Sequence, residues 1–147
     1  MLNVKLLCAT DGSHASEKAV AWAVQLTKTL LDAKLDVSLT FLTVSAIDED
    51  GEAVHGVQIM KEAIDEQIFR ELHSARAKAL KAGLKTVTCA KASGRNIAAA
   101  IIDFADREGY GHVICGSTGR TGVSRMLLGS VASEVVAKAH SPGTGVR

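Results

Sequence analysis

The chain has 147 residues, 47% of them apolar and 22% charged, and a formal net charge of +1. That balance excludes a disordered polyelectrolyte, and the absence of any run of Lys or Arg speaks against a nucleic-acid partner. Aromatic residues are only 3% of the chain, too few for base-stacking platforms, and no apolar stretch reaches the roughly 20 residues that span a bilayer.

The length suits one domain over residues 1–147, and such a globule buries roughly 70% of its unfolded surface without staples. Met1 to Ala9 contains one Lys and an apolar run too short for a signal-peptide core. Cys8, Cys89 and Cys115 lie far apart and none forms a C-x-x-C pair. The expectation is a cytoplasmic protein whose thiols serve as small buried apolar groups.

Val4 to Ala9 predicts a continuous apolar strand, followed by the turn Thr10-Asp11-Gly12-Ser13. Ser13 or Ser16 then caps a helix running to about Leu31. Ala19, Trp22, Ala23, Leu26 and Leu30 recur at helical spacing along its apolar face. Val37 to Val44 is the second strand, and Asp48 to Gly51 an acidic loop. A long helix follows from about Val57 to Ala82, with Met60, Ile64, Ile68, Leu72, Ala75 and Ala79 on one face. Its charged residues read as a solvated opposite face, and Gly83 as its left-handed stop.

Thr86 to Ala90 is a weaker third strand. Ser93 to Asn96 turns into a helix bearing Ile97, Ile101, Phe104 and Ala105. His112 to Cys115 is a short fourth strand, followed by the glycine-rich segment Gly116 to Gly129 and a last helix from about Ser130 to Ala139. Residues 141–147 carry two glycines and are expected not to make a good strand.

Strands alternating with helices predict an α/β domain, an open doubly wound parallel sheet of four or five strands with helices on both faces. Such sheets bind ligands at the carboxyl ends of the strands, where the strand order reverses. If the first and fourth strands flank that point, Asp11 and Gly116 meet at one crevice. His55, His73, His112 and His140 show no i, i+4 pairing, so no metal site is expected among them. Cys8 and Cys115 fall near the ends of the same two strands, where buried thiols are a commoner outcome than a redox pair.

The segment 116–130 holds four glycines and a series of hydroxyl side chains between a strand and a helix. Glycines let main-chain N–H groups approach an anion, and the helix start at Ser130 adds donors and a positive dipole end. Arg120 and Arg125 supplement the charge. The pattern is neither G-x-x-x-x-G-K-[ST] nor the dinucleotide G-x-G-x-x-G.

Gly116-x-x-Gly119, nine residues, then Gly129-Ser130 resembles the G-x-x-G-(nine)-G-[ST] signature of nucleotide-binding universal stress proteins. Leu127 to Ala132 and the opening Leu6 to Ser13 are similar to the same family. The resemblance implies a flavodoxin-like or Rossmann-like domain that binds ATP, or ADP or AMP, with Mg²⁺ as an optional companion held by phosphate oxygens and Ser130. By position, Ala9, Thr10 and Asp11 would face adenine and ribose, and Val44 would pack on the base. Cys115 stands where the family often has Met. Gly116, Gly119, Gly129, Ser130 and Val131 would hold ribose and phosphates, with Ser117 and Thr118 between them.

Each of these residues also has a plainer role open to it. Asp11 suits a helix entry, Val44 a strand core, and Ser130 an N-cap. No acid–base pair falls inside the glycine segment, so a regulatory binder is expected rather than a catalyst, with slow ATP hydrolysis or nucleotidyl transfer as the alternative. The resemblance also implies a homodimer, in a family whose fifth strand often pairs across the interface.

Overall fold

A computed structural model describes residues 3–46, 55–116, 134, 135, 137 and 142–146, with residues 46 and 55–65 described in backbone only. The elements are β1 (Asn3–Ala9), α1 (His14–Asp32), β2 (Asp36–Ala46), α2 (His55–Lys81), β3 (Val87–Gly94), α3 (Ile97–Glu108), β4 (His112–Gly116) and β5 (Gly143–Val146). Glu134, Val135 and Ala137 are helical between the last two strands.

The five strands form one sheet in the order β3-β2-β1-β4-β5, and every neighbouring pair is parallel. This is the predicted α/β architecture. Strand order advances one way from β1 to β3 and the other way from β4 to β5, so it reverses between β1 and β4. Right-handed crossovers then put α1 and α2 on one face and α3 on the other. The packing agrees. Leu6, Cys8, Leu39, Phe41 and Ile114 meet Ala19, Ala23, Ala75 and Ala79 on the first face. Leu7, Leu42, Val113 and Cys115 meet Ala98, Ile101, Ala105 and Val135 on the second. Alanines recur where helix meets sheet because a small side chain lets the helix backbone come close. The central strand β1 is apolar on both faces for the same reason: both are covered.

The structure corrects four expectations. Residues 143–146 do form a strand, paired in parallel with β4 from Val113–Gly143 to Gly116–Val146. An edge strand needs a ladder on only one side, and Pro142 contributes the one group it has, its carbonyl, to Val113 N–H at 3.0 Å. Thr144 Oγ1 lies 2.8 Å from His112 Nε2, and Val146 packs on the first core. β3 is also longer than its apolar pattern, reaching Gly94, because the other edge strand tolerates Lys91 and Ser93 on an open face. Trp22 is 40% exposed; α1 buries Ala19, Val20, Ala23, Val24 and Thr27 instead. Cys89, on edge strand β3, is exposed rather than buried.

Candidate functional site

The turn leaving β1 is built by its own side chains. Asp11 Oδ1 accepts the Ser13 N–H at 2.9 Å, closing a local turn that prepares the entry to α1. Ser13 is the N-cap: its Oγ accepts the Ser16 N–H at 3.1 Å, and Glu17 is the acidic residue of the first turn. Ser16 Oγ in turn donates to Ser13 O at 3.0 Å and lies 3.1 Å from Thr10 Oγ1. Thr43 Oγ1 donates to Thr10 O at 2.9 Å, and Thr10 N–H donates to Leu42 O at 2.8 Å. These bonds tie the turn to the end of β2. Thr10 is buried, Asp11 half-buried and His14 exposed.

β4 ends beside this turn. Cys8 is level with Ile114 in the β1–β4 ladder, so Gly116, two residues on, is level with Thr10. A Cβ placed on Gly116 would lie 2.9 Å from the backbone C and O of Ala15 and 3.0 Å from Ser16 N. The exit of β4 therefore abuts the first turn of α1, and only glycine fits there without a shift. Asp11 and Gly116 stand at the same end of adjacent strands, at the point where strand order reverses, as the sequence reading required.

The remaining predicted residues divide. Ala9 is half-buried at the end of β1, and Val44, level with Ala92 of β3, packs against the second core. Cys115 is buried on that same core, where desolvation pushes its thiol up to about 11. Cys8 faces the opposite core, so the two thiols lie on different faces of the sheet. Burial, and then the neighbouring Cys115, push the Cys8 thiol far upward as well. Two such groups are neutral packing atoms, not a redox couple. Ser117, Thr118, Gly119, Arg120, Gly129, Ser130 and Val131 lie outside the described residues.

One residue that the sequence reading placed on a solvated face belongs to this neighbourhood. Glu71 of α2 is only 7% exposed. A Cβ on Gly12 would meet Glu71 Oε1 at 2.8 Å and its Cγ at 2.9 Å. Gln67 Nε2 donates to Glu71 Oε1 at 3.1 Å. Beside this contact, a cavity of about 260 Å³ opens between α1 and α2, lined by Thr10, Gly12, Glu17, Arg70, Ser74 and Lys78 among others. The signal was there in the spacing. Glu71 stands three residues after Ile68 and four before Ala75, on the stripe that packs against the sheet.

Comparison with known proteins matches the Universal stress protein family over residues 3–147. The universal stress protein MJ0531 of Methanocaldococcus jannaschii is 30% identical over 139 residues, covering 94% of this chain and 78% of its own length. The universal stress protein YxiE of Bacillus subtilis is 30% identical over 138 residues, covering 89% of this chain and 90% of its own. Among solved structures, that of MJ0577 superposes with a TM-score of 0.79 at 23% identity, over 99% of this chain and 96% of the other. A universal stress protein in complex with cAMP gives 0.71 at 19% identity, over 98% and 97%. The Archaeoglobus fulgidus universal stress protein in complex with dAMP gives 0.66 at 19%, over the full length of both.

Proposed function

The chain belongs to the universal stress protein family, and from that premise we propose that it binds an adenine nucleotide, ATP foremost, as a regulatory module rather than a catalyst. The observation that carries the proposal is the convergence of β1 and β4 at the reversal of strand order, where the Asp11 turn and Gly116 share one end of the sheet. Solved structures of related universal stress proteins hold cAMP and dAMP, which supports the adenine class.

In this reading Ala9, Thr10, Asp11 and Val44 receive adenine and ribose. Cys115 and Gly116 form the floor, and the segment from Ser117 to Val131 supplies main-chain N–H groups to the phosphates, with Arg120 adding charge. The residues fit such a ligand chemically: glycines allow close approach of an anion to the backbone, and the turn after β1 is polar and internally hydrogen-bonded. Mg²⁺, when present, would be held through phosphate oxygens and Ser130. The glycine segment 116–130 carries no His, Asp or Glu in its sequence, a composition suited to holding phosphates. We further propose a cytoplasmic homodimer, for which β5 offers an outer strand edge.

The test is to identify the ligand released from purified protein by mass spectrometry and to titrate apo-protein with ATP, ADP and AMP. Gly119→Val and Gly129→Val should weaken ATP binding by about tenfold or more while the far-UV spectrum is kept. Gly116 is a poorer probe, because its replacement damages packing on α1 by itself. An apo-protein that takes up none of the three nucleotides sinks the reading.

A further inference from the structure

We propose that Glu71 is a positioning residue: its buried side chain, braced by Gln67, occupies the space beside Gly12 and fixes the turn from Asp11 to Ser13. The proposal deepens the nucleotide reading above and rests on it only for the identity of the site being positioned.

Three observations converge. All three of the heavy atoms nearest to a Cβ at Gly12 belong to Glu71, namely Oε1, Cγ and Cδ at 2.8, 2.9 and 3.0 Å. Gly12 has φ +77°, the left-handed region in which an L side chain is strained. The turn is thus special in conformation and, among the described residues, has Glu71 as its nearest neighbour from α2. Second, a carboxylate is a costly choice for a buried position on an otherwise apolar helix stripe, where a hydrocarbon would pack at lower cost. Its neighbours on that stripe are Ile68, Leu72 and Ala75. Third, a cavity adjoins this contact, lined from α2 by Glu71 and Gln67 and from the turn by Thr10 and Gly12. Glu71 bridges α2 and the turn, and Gln67, one turn earlier, holds the carboxylate in place at 3.1 Å. Arg70 donates to Gln67 Oε1 at 2.9 Å, so the brace extends to the helix surface.

The mechanical consequence is that α2 reports to the β1–α1 turn. Asp11 is held within the turn by the Ser13 N–H, and the turn is held against α2 by Glu71. Truncating Glu71 joins its volume to the existing cavity and frees Gly12 to sample other conformations. Thr10 is anchored independently by Thr43 and Leu42, so the effect is confined to Asp11, Gly12 and Ser13.

Amide hydrogen exchange in the nucleotide-free protein tests this directly. In Glu71→Ala, the Ser13 amide should exchange about tenfold faster or more, and Glu71→Gln should stay near the wild-type rate because shape and acceptor are kept. The Phe41 amide, in the central ladder, should not change. Equal Ser13 exchange in folded wild type and Glu71→Ala overturns the proposal. Should Glu71→Ala fail to fold, Gln67→Ala removes the brace from an exposed position; faster Ser13 exchange is expected and an unchanged rate overturns it. A double-mutant cycle adds a second reading: Gly12→Ala should lower the urea midpoint less in the Glu71→Ala background than in wild type, and equal shifts overturn the contact. ATP titration of the same proteins separates the two readings. A wild type that binds no adenine nucleotide sinks the proposed function, while the exchange rates still judge the hold of Glu71 on the turn.

Discussion

Gly116 at the end of β4 lies so close to Ala15 in the first turn of α1 that a Cβ there would sit 2.9 Å from the Ala15 carbonyl carbon and oxygen. This contact joins the two strand exits that frame the candidate site. The first glycine of the nucleotide signature therefore has a packing duty that does not depend on any ligand.

Gly116→Ala should destabilise the folded protein by about 1–3 kcal/mol, the usual cost of overpacking against a backbone that cannot yield. Urea unfolding of the ligand-free protein measures it. An unchanged midpoint would mean that α1 and β4 are further apart than described.

Ser13→Ala should cost about 1 kcal/mol, because the Ser16 N–H loses its cap, whereas Ser13→Asp should recover most of it. The difference between the two variants in thermal unfolding is the reading. Identical melting temperatures for Ala and Asp would show that the cap contributes nothing.

His112 is held below its ordinary value of 6.5 by burial, so the folded state favours the neutral ring. The unfolded chain therefore binds more protons in the window just below 6.5, and stability rises with pH through that window. The contribution is fully present above the unfolded value and lost as pH falls through the lower, folded one. Neutral His112 also lies 2.8 Å from Thr144 Oγ1 of β5. Urea midpoints taken from pH 7.5 down to pH 5 should fall in wild type and fall less in His112→Asn. A steeper fall in the variant would reverse the assignment.

Cys89 is exposed, while Cys8 and Cys115 are buried with thiols pushed upward by desolvation. Native protein should therefore react with an aromatic disulfide reagent at Cys89 alone, and at all three thiols once unfolded. Burial also pushes the Cys89 thiol up, partly offset by Arg76, so its reaction should be slow at neutral pH and quicken toward alkaline pH. Prompt native reaction at Cys115 would mean that the second core opens at the candidate site.

Much of the architecture was legible without coordinates. Buried parallel strands are apolar on both faces, as Leu6-Leu7-Cys8 and Val113-Ile114-Cys115 are, and such runs need no tertiary knowledge to find. Edge strands were harder. β3 and β5 each bury little, so Lys91, Gly143 and Gly145 sit in them without an apolar pattern to mark them. The same limit applied to Trp22, which shares a helical period with buried residues and yet faces water.

What the chain's residue order determined alone is the alternation of elements, a polar turn from Thr10 to Ser13 with Ser13 or Ser16 as the cap, and the glycine signature that begins at Gly116. These are local properties, set by side-chain spacing and backbone preference within a few residues. What only the folded molecule decided is adjacency: Gly116 against Ala15, Glu71 against Gly12, Thr144 beside His112. Each joins residues far apart in sequence, and no local pattern encodes which helix will press on which turn. That choice follows from the order in which strands enter the sheet and the hand of the crossovers between them.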